Sequence, residues 1–149
     1  MSYELKRHKL IDLSVKCGEK EYPVVLDIGK SGGDFNKRYA KLVNAEIELK
    51  RAQASLANGT VSEMQTLTDA EIVYGTTMVS LMELLFGING AHEIISYFEG
   101  DYTDLLLSLV PFIRDEFVPA LKAARHDKMD AYKKAVKPAG GFLGNVFRK

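Results

Sequence analysis

The sequence predicts a mainly α-helical domain with a small amino-terminal β-hairpin, an α+β arrangement on a bundle of about four to six helices. Three observations carry that expectation. Apolar residues recur at helical spacing over most of residues 34–137. They alternate with period two only in residues 10–28. Gly29, Gly32 and Gly33 separate these blocks, and Asn58-Gly59, Gly87 to Gly90 and Gly100 divide the second into segments.

The hairpin comes first. Ile11, Leu13, Val15 and Cys17 share one side of a strand, and Tyr22, Val24, Leu26 and Ile28 share one side of its return, with Gly18 to Glu21 as the turn. Pro23 cannot donate to a ladder, which pushes the second strand to an edge. A lone hairpin is marginal in water, so this one must pack on the helices or on another subunit.

Gly29-Lys30-Ser31-Gly32-Gly33 reads as a loop, after which Asp34 caps a largely polar helix over 34–57. Asn58-Gly59 stops that helix, and Thr60 to Leu67 reads as a connector. The organising stretch follows, with Thr68 or Asp69 capping an apolar helix that runs to Phe86. Ile72, Gly75, Val79, Met82 and Phe86 share one side of it, and Tyr74, Met78, Leu81 and Leu85 widen that side. Only Thr76, Ser80 and Glu83 leave a polar strip, so the helix should make contacts on more than one side and sit centrally. Gly75 costs about 1 kcal/mol against Ala in a helix interior, which is tolerable where a neighbouring helix approaches closely.

A break is expected at Gly87 to Gly90, then a short helix over 91–98. Gly100 ends it, and Asp101 or Thr103 opens a last apolar segment over 102–121. There Leu106, Leu109, Val110, Ile113, Phe117 and Leu121 share a face; Pro111 should kink the helix and Pro119 should kink it or start a new one. Lys122 to Lys137 is amphipathic and more polar. Residues 1–137 therefore read as one domain and 138–149 as a flexible tail carrying Phe142, Leu143, Val146 and Phe147. The tail is either a loosely packed end or a short peptide that docks in a groove on a partner or neighbouring copy.

Composition narrows the function classes. With 20 basic and 20 acidic side chains the formal charge is zero, so no global field steers the chain to nucleic acid or anionic lipid. The single Cys17 forms no internal disulfide and fits a reducing compartment. The opening residues lack a signal-peptide core, and no uninterrupted apolar run reaches the roughly 18 residues a membrane span needs. These readings place the protein in the cytoplasm, with neither nucleic acid nor membrane as partner.

No chemistry-bearing constellation stands above its structural explanation. Gly29-Lys30-Ser31 lacks the Gly four residues earlier that a phosphate loop requires. His8, His92 and His126 are dispersed, and His126 with Asp130 is a solvated pair on one helix face, so no metal is expected. Cys17 lies on the apolar side of a strand, Asp101 and Asp104 suit a helix start, and Lys6-Arg7-His8-Lys9 is a solvated basic cluster. Neither a catalytic residue nor a cofactor is expected.

The segment Leu84-Leu85-Phe86-Gly87-Ile88-Asn89-Gly90-Ala91-His92-Glu93-Ile94-Ile95-Ser96-Tyr97-Phe98-Glu99-Gly100-Asp101-Tyr102, with Val110-Pro111-Phe112-Ile113 after it, resembles the tail assembly chaperones of long-tailed bacteriophages. The order of parts elsewhere is also similar: a hairpin ending in Val25-Leu26-Asp27-Ile28, a polar helix, then apolar helices. These are packing patterns, covering roughly residues 10–121. The resemblance implies an assembly factor, absent from the mature virion, that acts in the host cytoplasm. It would bind the tape measure protein, keep it soluble and present it to tail tube protein. A longer frameshifted form and a homo-oligomer are further implied partners. Candidate contact residues are Met78, Met82, Tyr97, Phe98, Phe112 and Phe117, with Phe142, Leu143 and Phe147 in the tail. Two other readings stay open: a head–tail connector or tail terminator subunit, and a small regulator that binds a host protein.

Overall fold

The structure is a computed structural model that describes residues 2–5 and 11–136, with backbone alone for 28–32. In chain order it contains β1 (Ser14–Cys17), β2 (Lys20–Pro23), α1 (Ile28–Ala54), α2 (Val61–Tyr97), α3 (Tyr102–Phe112), a π-helical stretch (Ile113–Phe117) and α4 (Val118–Val136). The last three run on without a gap, so the described residues form three helical rods where the sequence suggested four to six helices.

The hairpin is antiparallel, with Val15 opposite Tyr22 and Cys17 opposite Lys20. Gly18 stands at the first turn position with φ +65°, where a primed hairpin turn needs a residue without Cβ. The ladder is prolonged by Val24 N–H donating to Leu13 C=O at 2.8 Å. Ile11, Tyr22, Val24 and Leu26 are buried, and Leu13, Val15 and Cys17 are half-buried against the helices, so the period-two face is the packed face.

Gly29 to Gly33 is helical rather than a loop: α1 starts at Ile28, directly after the hairpin. The chain is delivered there by one contact, Val25 N–H to Leu85 C=O at 2.8 Å. That carbonyl is available because Gly87 (φ +79°, ψ 167°) leaves the helical path and interrupts the ladder of α2. The Leu-Phe-Gly and Val-Leu-Asp-Ile motifs are thus two halves of one joint. Asn89-Gly90, expected as a turn, is helical. A Cβ on Gly90 would press on Phe86 Cβ at 3.3 Å, across the Gly87 break, and would only touch the Tyr22 ring at 3.8 Å.

Thr60 to Leu67, expected as a connector, is instead the first part of α2. Thr60 Oγ1 accepts from Glu63 N–H at 3.2 Å, and the Glu63 carboxylate accepts from Thr60 Oγ1 (3.0 Å) and Asn58 N–H (3.3 Å). This is a capping-box arrangement. It holds Glu63 below the usual carboxylate range, through the Asn58 amide first and the Thr60 hydroxyl second.

The core lies where α1, α2 and α3 meet. Leu42, Met78, Leu81, Met82, Leu85, Ile94, Ile113 and Phe117 are sealed from solvent, and the Phe35 and Phe117 rings pack tilted at 4.6 Å. Arg38 ties α1 to α2 by donating to Ser80 C=O at 2.8 Å. The expected close approach at Gly75 is real: a Cβ there would meet the Tyr102 ring at 3.0 Å. Asp101 caps α3, accepting from Asp104 N–H at 3.0 Å. Pro111 sits inside α3 without ending it, and Pro119 lies in the first turn of α4. Between them Val118 N–H reaches back to Ile113 C=O, the widened turn expected where a helix absorbs disrupted hydrogen bonding.

By length and composition α2 would suffice to cross a bilayer, although polar residues such as Thr76, Ser80 and Glu83 interrupt its apolar run. Here its Met78–Leu85 arc is wholly buried in the bundle, the position of a core helix.

Candidate protein-binding surface

The apolar arc of α2 and α3 is wider than the core can cover. On α3, Leu105, Leu106 and Leu109 are buried, but Leu107, one step out of register, is 71% exposed. Together with Leu49 and Tyr74 beneath, and Val110 and Pro111 beside it, Leu107 lines a groove of about 420 Å³ between α1 and α3. Pro111 lacks an N–H, so the Leu107 carbonyl loses its helical donor; on this open face water can replace it. The α1 wall carries Glu46 and Lys50, paired at 2.8 Å, with Gln53 alongside. An apolar floor with a polar, charge-balanced rim suits the hydrophobic stripe of an amphipathic helix.

A second recess lies beneath the hairpin. It is smaller, about 150 Å³, and is lined by Val15, Cys17, Met82, Phe86, Ile94, Phe98 and Phe112 among others. Partial burial raises the Cys17 thiol above its ordinary range, which favours the protonated form. A third depression, about 600 Å³, separates α1 from the exposed start of α2 over Ala45, Ala52, Ala70 and Val73. Its rim mixes Lys41, Glu48, Arg51 and Asp69.

The nine sequence-derived contact residues separate into groups. Met78, Met82 and Phe117 are completely buried, which corrects their assignment: they are core, and no partner reaches them in this arrangement. Phe98 and Phe112 are half-buried and line the recess beneath the hairpin. Tyr97 is exposed and packs edge-on against Phe98, ring centroids 5.4 Å apart. Phe142, Leu143 and Phe147 lie outside the described residues.

Leu107, Val110 and Pro111 were not among the sequence-derived contacts. Spacing puts Leu107 off the packed face of its helix, but it puts the buried Leu105 there too, so spacing alone does not single Leu107 out.

Among the described residues no charged side chain is buried, and no three His, Cys, Asp or Glu side chains converge as metal ligands would. Tyr74 is held above its usual pKa chiefly by burial, and its hydroxyl donates to Tyr102 C=O at 3.5 Å. The chemistry on offer is shape and apolar contact. No family model, curated protein or solved structure matches the chain.

Proposed function

We propose that this chain is a phage tail assembly chaperone that binds the tape measure protein and shelters its apolar helical surface until tail tube subunits enclose it. The observation that carries the reading is the α1–α3 groove, where Leu107 stands exposed over Leu49, Leu106, Val110 and Pro111. The Leu-Phe-Gly joint and its Val25 partner, on which the resemblance rests, add support as a linked structural unit. No reaction is assigned, and the site of action is the host cytoplasm. An elongated client offers many similar apolar stripes, and several chaperone copies along it give avidity without one tight site.

Co-expression with a tape measure protein tests this. The two should elute together in size exclusion, and Leu107→Asp should separate them while leaving the chaperone's circular dichroism unchanged. Separate elution of the wild-type pair overturns the proposal.

A further inference from the structure

We propose that the carboxy-terminal segment 137–149 of one copy docks in a trough on the outer face of α2 of a second copy. The trough, about 510 Å³, is lined by Glu71, Ile72, Gly75, Val79, Glu83 and Tyr102, with Thr76 and Ser80 as its small polar wall. Ile72 is 62% exposed and Val79 half-buried, so the apolar strip left over from the core is its floor. Two glutamates, about 18 Å apart along the helix, mark its ends. No lysine or arginine lines it, although Arg38 reaches its edge from α1 by donating to Ser80 C=O at 2.8 Å; at the other end His92 Nε2 lies 3.8 Å from Glu83.

The occupant is identified by charge and by reach. Residues 137–149 contain Lys137, Arg148 and Lys149 and no acidic residue, complementary to the trough. Phe142, Leu143, Val146 and Phe147 are spaced to share one side of a short helical turn, with Arg148 and Lys149 placed to pair with a rim glutamate. The apolar side fits over Ile72 and Val79.

A copy cannot serve itself. The third rod measures about 50 Å from Tyr102, at the trough, to Val136. Beyond Ala124 every described side chain is exposed or half-exposed, so α4 leaves the body instead of folding back along α2. Even a fully extended chain carries Phe142 only about 20 Å past Val136, and Phe147 less than about 40 Å. The docking therefore links different copies, and it does not depend on the client reading.

Complementation of full-length variants tests this without any client. Phe142→Asp/Phe147→Asp spoils the segment, and Ile72→Asp/Glu71→Lys spoils the trough. In sedimentation velocity the wild type should associate with rising concentration and dissociate as salt is raised. Each variant alone should remain a monomer, its dissociation constant raised at least about tenfold. An equimolar mixture of the two should restore a heterodimer, because one intact segment then meets one intact trough. Unaltered circular dichroism verifies that both variants fold.

A wild type that stays monomeric throughout the series overturns the proposal. So does association that survives either variant, or a mixture that fails to pair. If Leu107→Asp rather than the trough variant abolishes association, the segment docks in the α1–α3 groove and the assignment to the trough is overturned.

Discussion

The two halves of α2 both carry large apolar residues and meet opposite fates. From Tyr74 to Phe86 the helix supplies Met78, Leu81, Met82 and Leu85, all at 0% exposure. From Val61 to Val73 no side chain is buried, although Val61, Met64, Ile72 and Val73 are all apolar. One half is held by packing. The other is held by its cap, by continuity with its neighbour and by half-buried Leu67 and Ala70 against the core, since a short solvated helix is marginal by itself. Apolar composition therefore does not decide which surface becomes core. The rotation of α2 against α1 and α3 decides it, and what remains uncovered is available to partners.

The contrast breaks most readily by truncation. Leu81→Ala removes a fully enclosed side chain and should cost about 2–5 kcal/mol in urea denaturation, because the surrounding helices cannot close over the space. Met64→Ala, on the exposed half, should stay within about 0.5 kcal/mol. Equal losses at the two positions would mean that the exposed half is buried in solution, by self-association or by rearrangement.

A smaller effect is expected at the joint. Gly87→Ala forces a side chain onto φ +79° and ψ 167°, a region that is essentially glycine-only, at a cost of about 1–3 kcal/mol. The local signature is more diagnostic than the total. If Gly87 is what frees the Leu85 carbonyl, its replacement should speed hydrogen exchange at the Val25 amide. Asn89→Ala, two residues on in exposed helix, should leave that amide protected.

The same contrast explains what was legible in the sequence. Where burial and periodicity coincide, the reading held: the packed faces of the hairpin, the Leu106–Leu121 face and the Asp101 cap are all where the spacing put them. Leu105, which the spacing does not place on that face, is also buried. The start of α2 was placed at Thr68 or Asp69 because its apolar pattern begins where burial begins. The missed signal was chemical, Thr60-Val61-Ser62-Glu63, a capping box with no apolar face behind it to draw attention. Gly29 to Gly33 misled in the opposite direction. Glycine composition argued for a loop, but Leu26 is buried and Val25 is bonded to α2, so the chain enters α1 at once. The α1–α3 groove could not be read at all, because it exists only once two helices far apart in sequence are set side by side. Nor could spacing reveal that Met78 and Met82 point inward while Ile72 does not.

The cap gives a smaller loss than the core or the joint, and the one with a pH signature. Thr60→Ala removes the acceptor for Glu63 N–H and should cost about 1 kcal/mol, lost as fraying of the first turns rather than of the core. Glu63→Gln tests the other arm. Hydrogen bonds from Asn58 N–H and the Thr60 hydroxyl lower the Glu63 pKa in the folded state. A carboxyl lowered on folding stabilises fully above its unfolded value and loses that contribution as pH falls through the folded value. The difference between wild type and Glu63→Gln should therefore be constant at neutral pH and disappear on acidification below the ordinary glutamate range. The Thr60→Ala difference should persist in part, since a hydroxyl accepting from an amide does not titrate. Amide exchange at Ser62 to Thr66 measures both, in the first turns of α2, where no side chain is buried. A Glu63→Gln difference that grows in acid would show that the carboxylate is not what secures this end of the helix.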